Sequence, residues 1–380
     1  MPHSLTSSRL DRLLGCPLEE LETPVLVVDL DRLERNLSGM AEYARVHGLG
    51  LWPHTKTHKS LALARRQLGW GAEGLTVAKT SEAEVMAMAG GGRLLIAYPV
   101  WGERKWARLA ELAAEGEITV AVDSAAVAEG LSAAARARGA GMRILVDLDV
   151  GFRRTGVAEP AAALALAQRI GRLPGLTVDG LFFYPGQVWA PPMQQAAELA
   201  SVSAIVAEAV DLFDHFGISR RRISGGSTPT ARTSHFIPGQ TETRPGTYVF
   251  NDRNYADLGV CDRADCALTV LSTVVSTSVP GRAMIDAGSK TLSGDHLESG
   301  DRQDCGWIVG RSPAVRFTGM SEEHGHLDLG EGAQPLRVGD RVQVIPNHVC
   351  PAVNLHDAYL GVRAGRVEEI FTTDARGCVR

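Results

Sequence analysis

The stretch Leu51-Trp52-Pro53-His54-Thr55-Lys56-Thr57-His58-Lys59 packs two lysines and two histidines directly after a short apolar run. Pro53 lacks an amide donor and has a fixed φ, so a strand leaves its ladder near here. A lysine at such a strand end can do carbonyl chemistry. A second group, Asp147-Leu148-Asp149-Val150-Gly151-Phe152-Arg153-Arg154-Thr155-Gly156, sets two arginines in a glycine-flanked loop, where a guanidinium can face an anionic oxygen. A third, Ser224-Gly225-Gly226-Ser227-Thr228-Pro229-Thr230, offers the glycines, hydroxyls and amides that cradle phosphate. In the fourth, Pro346-Asn347-His348-Val349-Cys350-Pro351, alternation along an extended segment would point His348 and Cys350 the same way. Imidazole and thiolate suit Zn2+ or a related divalent ion, and two protein ligands leave room for water or substrate. His324 and His326 in Ser321-Glu322-Glu323-His324-Gly325-His326 are candidates for a further ligand or an outer partner. Each group has a plain alternative: a solvated basic loop, a surface turn, a buried polar pair or a charged hairpin.

These residues must be placed by regular elements. An apolar run of four to seven residues, a short turn and an Ala/Leu-rich amphipathic segment recur along the first two thirds of the chain. Strands are expected at 24–30, 49–55, 74–79, 93–99, 117–122, 143–149, 176–184 and 221–225. Helices are expected near 60–69, 81–89, 102–115, 124–138, 159–172 and 192–217, besides one beginning at Asp31. Strands apolar along their whole length and alternating with helices indicate a parallel sheet covered on both faces. Eight of them point to a (β/α)8 barrel over residues 20–254, with its chemistry at the strand C-termini. An open doubly wound sheet is the alternative, but no GxGxxG follows the first strand. Gly90-Gly91-Gly92 follows a helix and reads as a helix stop. Beyond residue 255, stretches at 268–279, 281–289, 305–309, 313–317 and 341–346 separated by Gly and Pro turns indicate a smaller, mostly antiparallel β domain. It runs from 255 to 380, carries His348 and Cys350, and packs with the leader 1–19.

Composition narrows the function class. The 380 residues carry a formal net charge of −5, which leaves no footprint for nucleic acid or an anionic membrane. No segment reaches membrane-span length, and the N-terminus has no apolar signal core. Cysteines at 16, 261, 266, 305, 350 and 378 form no CxxC pair, which suits a reducing cytoplasm.

The combination is more specific than its parts, because a lysine beside a phosphate cradle at a barrel mouth suggests a pyridoxal 5'-phosphate Schiff base. On Pro53-His54-Thr55-Lys56-Thr57-His58-Lys59, Gly225-Gly226-Ser227-Thr228-Pro229-Thr230, Arg244-Pro245-Gly246-Thr247-Tyr248, Ser321-Glu322-Glu323-His324-Gly325-His326 and Pro346-Asn347-His348-Val349-Cys350-Pro351, the chain resembles the fold-type III pyridoxal phosphate enzymes. Within them it is similar to the D-threonine aldolase and D-serine dehydratase group, with an alanine-racemase-like barrel. The resemblance implies that Lys56, rather than Lys59, is the Schiff-base lysine. It implies that Arg154 faces the cofactor's phenolic oxygen and that Gly226, Ser227 and Thr228 hold its phosphate. Arg244 or Tyr248 would face the pyridine nitrogen, and His54 and Tyr184 would line the cofactor. His348 and Cys350 would bind a divalent metal (Mn2+, Zn2+, Mg2+ or Co2+). A homodimer with shared active sites is implied as well.

The expected reaction is retro-aldol cleavage of a D-β-hydroxy-α-amino acid to glycine and an aldehyde, and Trp189 with Tyr184 could shape a pocket for the aldehyde carbon. The alternative is dehydration of D-serine or 3-hydroxyaspartate to a 2-oxo acid and ammonia; a metal serves both. A pyridoxal phosphate carrier without turnover is a more distant reading. Some aldolases of the group carry a histidine shortly after the seventh strand; here Tyr184-Pro185-Gly186-Gln187-Val188-Trp189 has none, and a metal-bound hydroxide or Lys56 could serve as base.

Overall fold

The first apolar strand, β1 (Val25–Asp29), does not enter the barrel expected of it. The computed structural model describes residues 10–295, 297 and 304–380, and β1 pairs there antiparallel with a later strand over Leu268–Ser276 and parallel with Ala358–Arg363. A strand buried on both faces has the same continuous apolar sequence in either kind of sheet, so composition could not assign it.

The chain divides into two compact units. One consists of Ser38–Lys56, Leu61–Gly246 and Gly377–Arg380. Its sheet has eight parallel strands: β2 (Gly50–Leu51), β3 (Leu75–Val77), β4 (Arg93–Ile96), β5 (Glu117–Val122), β6 (Met142–Leu148), β7 (Leu176–Phe183), β8 (Arg222–Gly225) and β9 (Glu242–Thr243). The eighth strand is thus β9, a two-residue element too short to register as an apolar run. The sheet curls until its edges meet: β2 pairs with β9, and beyond β2 His54 bridges Thr76. Helices Leu61–Gly69, Thr80–Ala87, Glu103–Ala113, Ala125–Arg138, Pro160–Ile170 and Ala196–His215 alternate with the strands, close to the positions their spacing predicts.

Inside the curl, Trp52, Leu95, Ala121, Leu145 and Phe182 form a buried apolar cluster. The Arg222 guanidinium stacks 4.0 Å from the Trp52 ring and forms a two-point ion pair with Glu242, at 2.8 and 2.9 Å. Side chains two residues further along a strand share a face, so the next positions toward the strand C-termini are His54, Ala97, Asp123, Asp147 and Tyr184. The sequence therefore changes from apolar to mostly ionisable at the strand C-termini, where Asp123 and Tyr184 directly follow β5 and β7.

The other unit holds the described residues up to Leu37, Thr57–Ser60 and Thr247–Arg376. Besides β1 its nine-stranded sheet contains β10 (Leu268–Ser276), β11 (Arg282–Ile285), β12 (Gly306–Ile308), β13 (Val315–Met320), β14 (Gly325–Leu329), β15 (Arg341–Pro346), β16 (Ala358–Arg363) and β17 (Arg366–Thr372). The pairings are antiparallel apart from β1 with β16. Leu21, Val27, Leu271, Leu360 and Val367 make a core cluster against which Leu13, Cys16 and Leu18 of the leader pack. The leader backbone is tied to the same sheet, with Gly15 N donating to the Val367 carbonyl at 2.8 Å. Among the described residues, no helix is long and apolar enough to cross a membrane.

Candidate active site

The chain after β2 turns through a single 3-10 turn, Thr55–Thr57. Across residues 55–60 every side chain is buried except Lys56, which is exposed. Lys59 is its opposite. It is 7% exposed, has φ +50°, and its Nζ lies 3.4 Å from the Ala375 carbonyl. Of the two lysines, only Lys56 presents an amine outward. His54 bridges Thr76, and its Nδ1 accepts from the Lys56 amide at 3.4 Å.

The phosphate-cradle candidate follows β8. Gly226 has φ +92°, which L side chains rarely adopt, and a Cβ there would collide with Thr243 Oγ1. That turn gathers hydroxyls: Thr230 Oγ1 lies 3.1 Å from the Ser227 amide and 3.0 Å from its Oγ, while Thr228 Oγ1 accepts from the Gly246 amide at 3.3 Å. Such a turn of amides and hydroxyls fits a phosphate group.

Arg154 is exposed, its guanidinium 4.6 Å from the Tyr184 ring centre and 5.0 Å from that of Phe152. Arg244 is buried, donates from Nη2 to the Phe183 carbonyl at 2.7 Å, and lies 3.8 Å over the Phe182 ring. Burial pulls its pKa down to about 10 against the pull of Glu242 and Asp147. Tyr248, the alternative partner for a ring nitrogen, is buried in the turn Thr247–Val249 of the β unit. Asp147, 3% exposed, had no role assigned from sequence. Burial pushes its carboxyl up to about 6, helped by Asp123 and opposed by a Thr155 hydrogen bond and by Arg244 and Arg154. Gln187 donates to the Val150 carbonyl at 2.6 Å and does not titrate, so it supplies no base.

In the β unit, His348 and Cys350 do not share an extended segment. His348 is the extended N-cap of helix Val349–Asn354, and Cys350 lies in its first turn. The helix begins early because Asp252 Oδ2 accepts from the Val349 amide at 3.1 Å. The two side chains still meet: His348 hydrogen-bonds Cys350, and its Nδ1 lies 2.7 Å from Asp295 Oδ2. Burial alone would lower the His348 pKa. The bond and charge of Cys350, with Asp252 and Asp295, outweigh it and push the imidazole up to about 10. Cys350 Sγ also lies 3.2 Å from Thr57 Oγ1, one residue along the chain from Lys56. Imidazole, thiol and a carboxylate on the second imidazole nitrogen form a donor set that fits a divalent ion. His324 lies in the turn between β13 and β14 and His326 in β14 itself; Ser321 N donates to the His324 carbonyl and His326 Nε2 lies 3.4 Å from Ser321 Oγ. Among the described residues, no group of three or more His, Cys, Asp or Glu converges as a metal cage.

Two further acids face site residues without belonging to a motif: Asp295, on His348, and Glu82, whose Oε1 lies 2.9 Å from Thr55 Oγ1. Glu82 shows only as an acidic residue early in a helix, and Asp295 as one of several acids in a polar stretch.

Residues 28–254 match the family model described as alanine racemase, N-terminal domain, and residues 267–362 match a putative serine dehydratase domain. The chain is 36% identical over 372 residues to a D-threonine aldolase from Arthrobacter sp, covering 96% of each. A solved D-threonine aldolase from Filomicrobium marinum superposes with TM-score 0.90 at 34% identity, over 97% of this chain and 99% of that one. A cysteine-to-alanine variant of a D-threo-3-hydroxyaspartate dehydratase, solved in the metal-free form, gives TM-score 0.85 at 30% identity, over 94% and 98%. The chain belongs to the fold-type III pyridoxal phosphate enzymes, in the group that contains the D-threonine aldolases and D-serine dehydratases.

Proposed function

We propose that this protein is a pyridoxal phosphate- and metal-dependent lyase that cleaves a D-β-hydroxy-α-amino acid to glycine and an aldehyde. The observation carrying the reading is the outward-facing Lys56, flanked by Thr57 whose hydroxyl lies 3.2 Å from Cys350, in a chain that aligns end to end with a D-threonine aldolase.

In this reading Lys56 holds the cofactor covalently, Gly226, Ser227 and Thr228 take its phosphate, and Arg154 pairs with its phenolic oxygen. His54 and Tyr184 line it. Arg244 is the partner for the ring nitrogen, since its guanidinium is fixed within the barrel by the Phe183 carbonyl. Pyridoxal phosphate, when bound, supplies an electron sink for the bond broken at the α-carbon. His348 and Cys350 hold the divalent ion, whose contribution is Lewis acidity toward the β-hydroxyl. Asp295, 2.7 Å from the His348 Nδ1, would orient that imidazole toward the ion. A homodimer is part of the same reading, supported by the resemblance alone.

Dehydration to a 2-oxo acid and ammonia is the second reading, favoured by the serine dehydratase match over 267–362 and by the lack of a histidine in residues 184–189. One experiment separates them: incubate purified protein with D-threonine, D-serine and their L-forms, with Mn2+ or Zn2+. Glycine and acetaldehyde from D-threonine are expected. 2-Oxobutyrate in their place means dehydration, and no turnover of any D-substrate overturns both.

A further inference from the structure

A lysine in a one-turn 3-10 helix is poorly aimed by its own backbone, because such turns are short and their hydrogen bonds weak. Its aim therefore depends on what fixes the preceding residue. Thr55 is fully buried, and its Oγ1 lies 2.9 Å from Glu82 Oε1 and 3.2 Å from the Thr76 carbonyl. Glu82 is itself 0% exposed, in the first turn of helix Thr80–Ala87, and its other oxygen accepts from the Ala78 amide at 2.8 Å. One carboxylate thus joins the turn after β3 to the turn after β2. Thr76, whose carbonyl receives the same hydroxyl, donates its own hydroxyl to the Trp52 carbonyl at 2.8 Å and bridges His54. The residues on either side of Lys56's turn are locked while Lys56 alone stays exposed.

Burying a carboxylate is costly, so a position with no solvent contact and two directed bonds implies a geometric task. We propose that Glu82, acting through the Thr55 hydroxyl, is the positioning residue that aims Lys56 at the cofactor's aldehyde. The inference rests on the reading of Lys56 as the cofactor-binding lysine. The step it governs is addition of the Lys56 Nζ to the aldehyde carbon, with a C=N bond formed and the carbonyl oxygen leaving as water.

The test uses the full-length protein stripped of cofactor, with Thr55→Val, Thr55→Ser, Glu82→Gln and Lys56→Ala variants. Pyridoxal 5'-phosphate is added, samples are quenched with borohydride over time, and the fixed label is located by mass spectrometry. Pyridoxamine 5'-phosphate, which has ring and phosphate but no aldehyde, measures the rest of the site in a parallel binding titration. Thr55→Val and Glu82→Gln are expected to slow fixation at Lys56 by about tenfold to a hundredfold, the scale of a small misplacement of a reacting group. Pyridoxamine phosphate affinity should be unchanged, and Thr55→Ser should recover the wild-type rate. Wild-type fixation in Thr55→Val overturns the proposal, as does a parallel loss of pyridoxamine phosphate binding, which would mean a general disturbance of the site. Fixation persisting in Lys56→Ala would instead sink the assignment of Lys56.

Discussion

Asp295 Oδ2 lies 2.7 Å from His348 Nδ1, so a carboxylate holds one nitrogen of the imidazole whose ring also hydrogen-bonds Cys350. Asp295→Asn should keep the fold and lower divalent-metal affinity by about 10–100-fold, the usual cost of losing such a partner. Calorimetric titration with Mn2+ or Zn2+ measures it, and unchanged affinity would show that the carboxylate does not orient the ligand.

The two lysines of the motif should separate cleanly. Lys56→Ala is expected to abolish the borohydride-fixed cofactor label. Lys59→Ala should leave it in place and lower stability, since it removes a buried side chain bonded to the Ala375 carbonyl. The reverse pattern would reassign the cofactor lysine.

Gly226 tests the phosphate turn. At φ +92° and with Thr243 Oγ1 in the way of a Cβ, Gly226→Ala should cost about 1–3 kcal/mol of stability and weaken binding of pyridoxamine phosphate. Urea denaturation read beside the binding titration checks both. An alanine variant with wild-type stability would contradict the turn described.

Asp147 makes stability depend on pH in a stated direction. Its carboxyl rises from 3.8 to about 6 on folding, so the folded protein holds the proton more tightly than the unfolded chain. Stability attributable to this group therefore falls as pH rises from 3.8 through about 6, and the cost of the buried charge is fully present above that range. Asp147→Asn should remove that slope, gaining on the wild type by on the order of 2–3 kcal/mol between pH about 4 and about 7. Denaturant midpoints at the two pH values read the difference; parallel curves would argue against a raised carboxyl.

Periodicity and residue chemistry alone determined much of this molecule. Seven of the barrel strands were legible because a parallel strand covered on both faces must be apolar throughout; Lys56, His348 and Cys350 stood out as candidates because amine, imidazole and thiol do uncommon chemistry, and the Gly226 turn because its backbone is free to adopt a positive φ. Only tertiary structure decided where β1 belongs, since an apolar run carries no record of which sheet buries it. It also supplied β9, whose two residues pair by backbone bonds alone, and put Cys350 on a helix begun by the distant Asp252 carboxylate. What Glu82, Asp147 and Asp295 face was not legible for a related reason: an acid's surroundings are set by partners that only folding brings close.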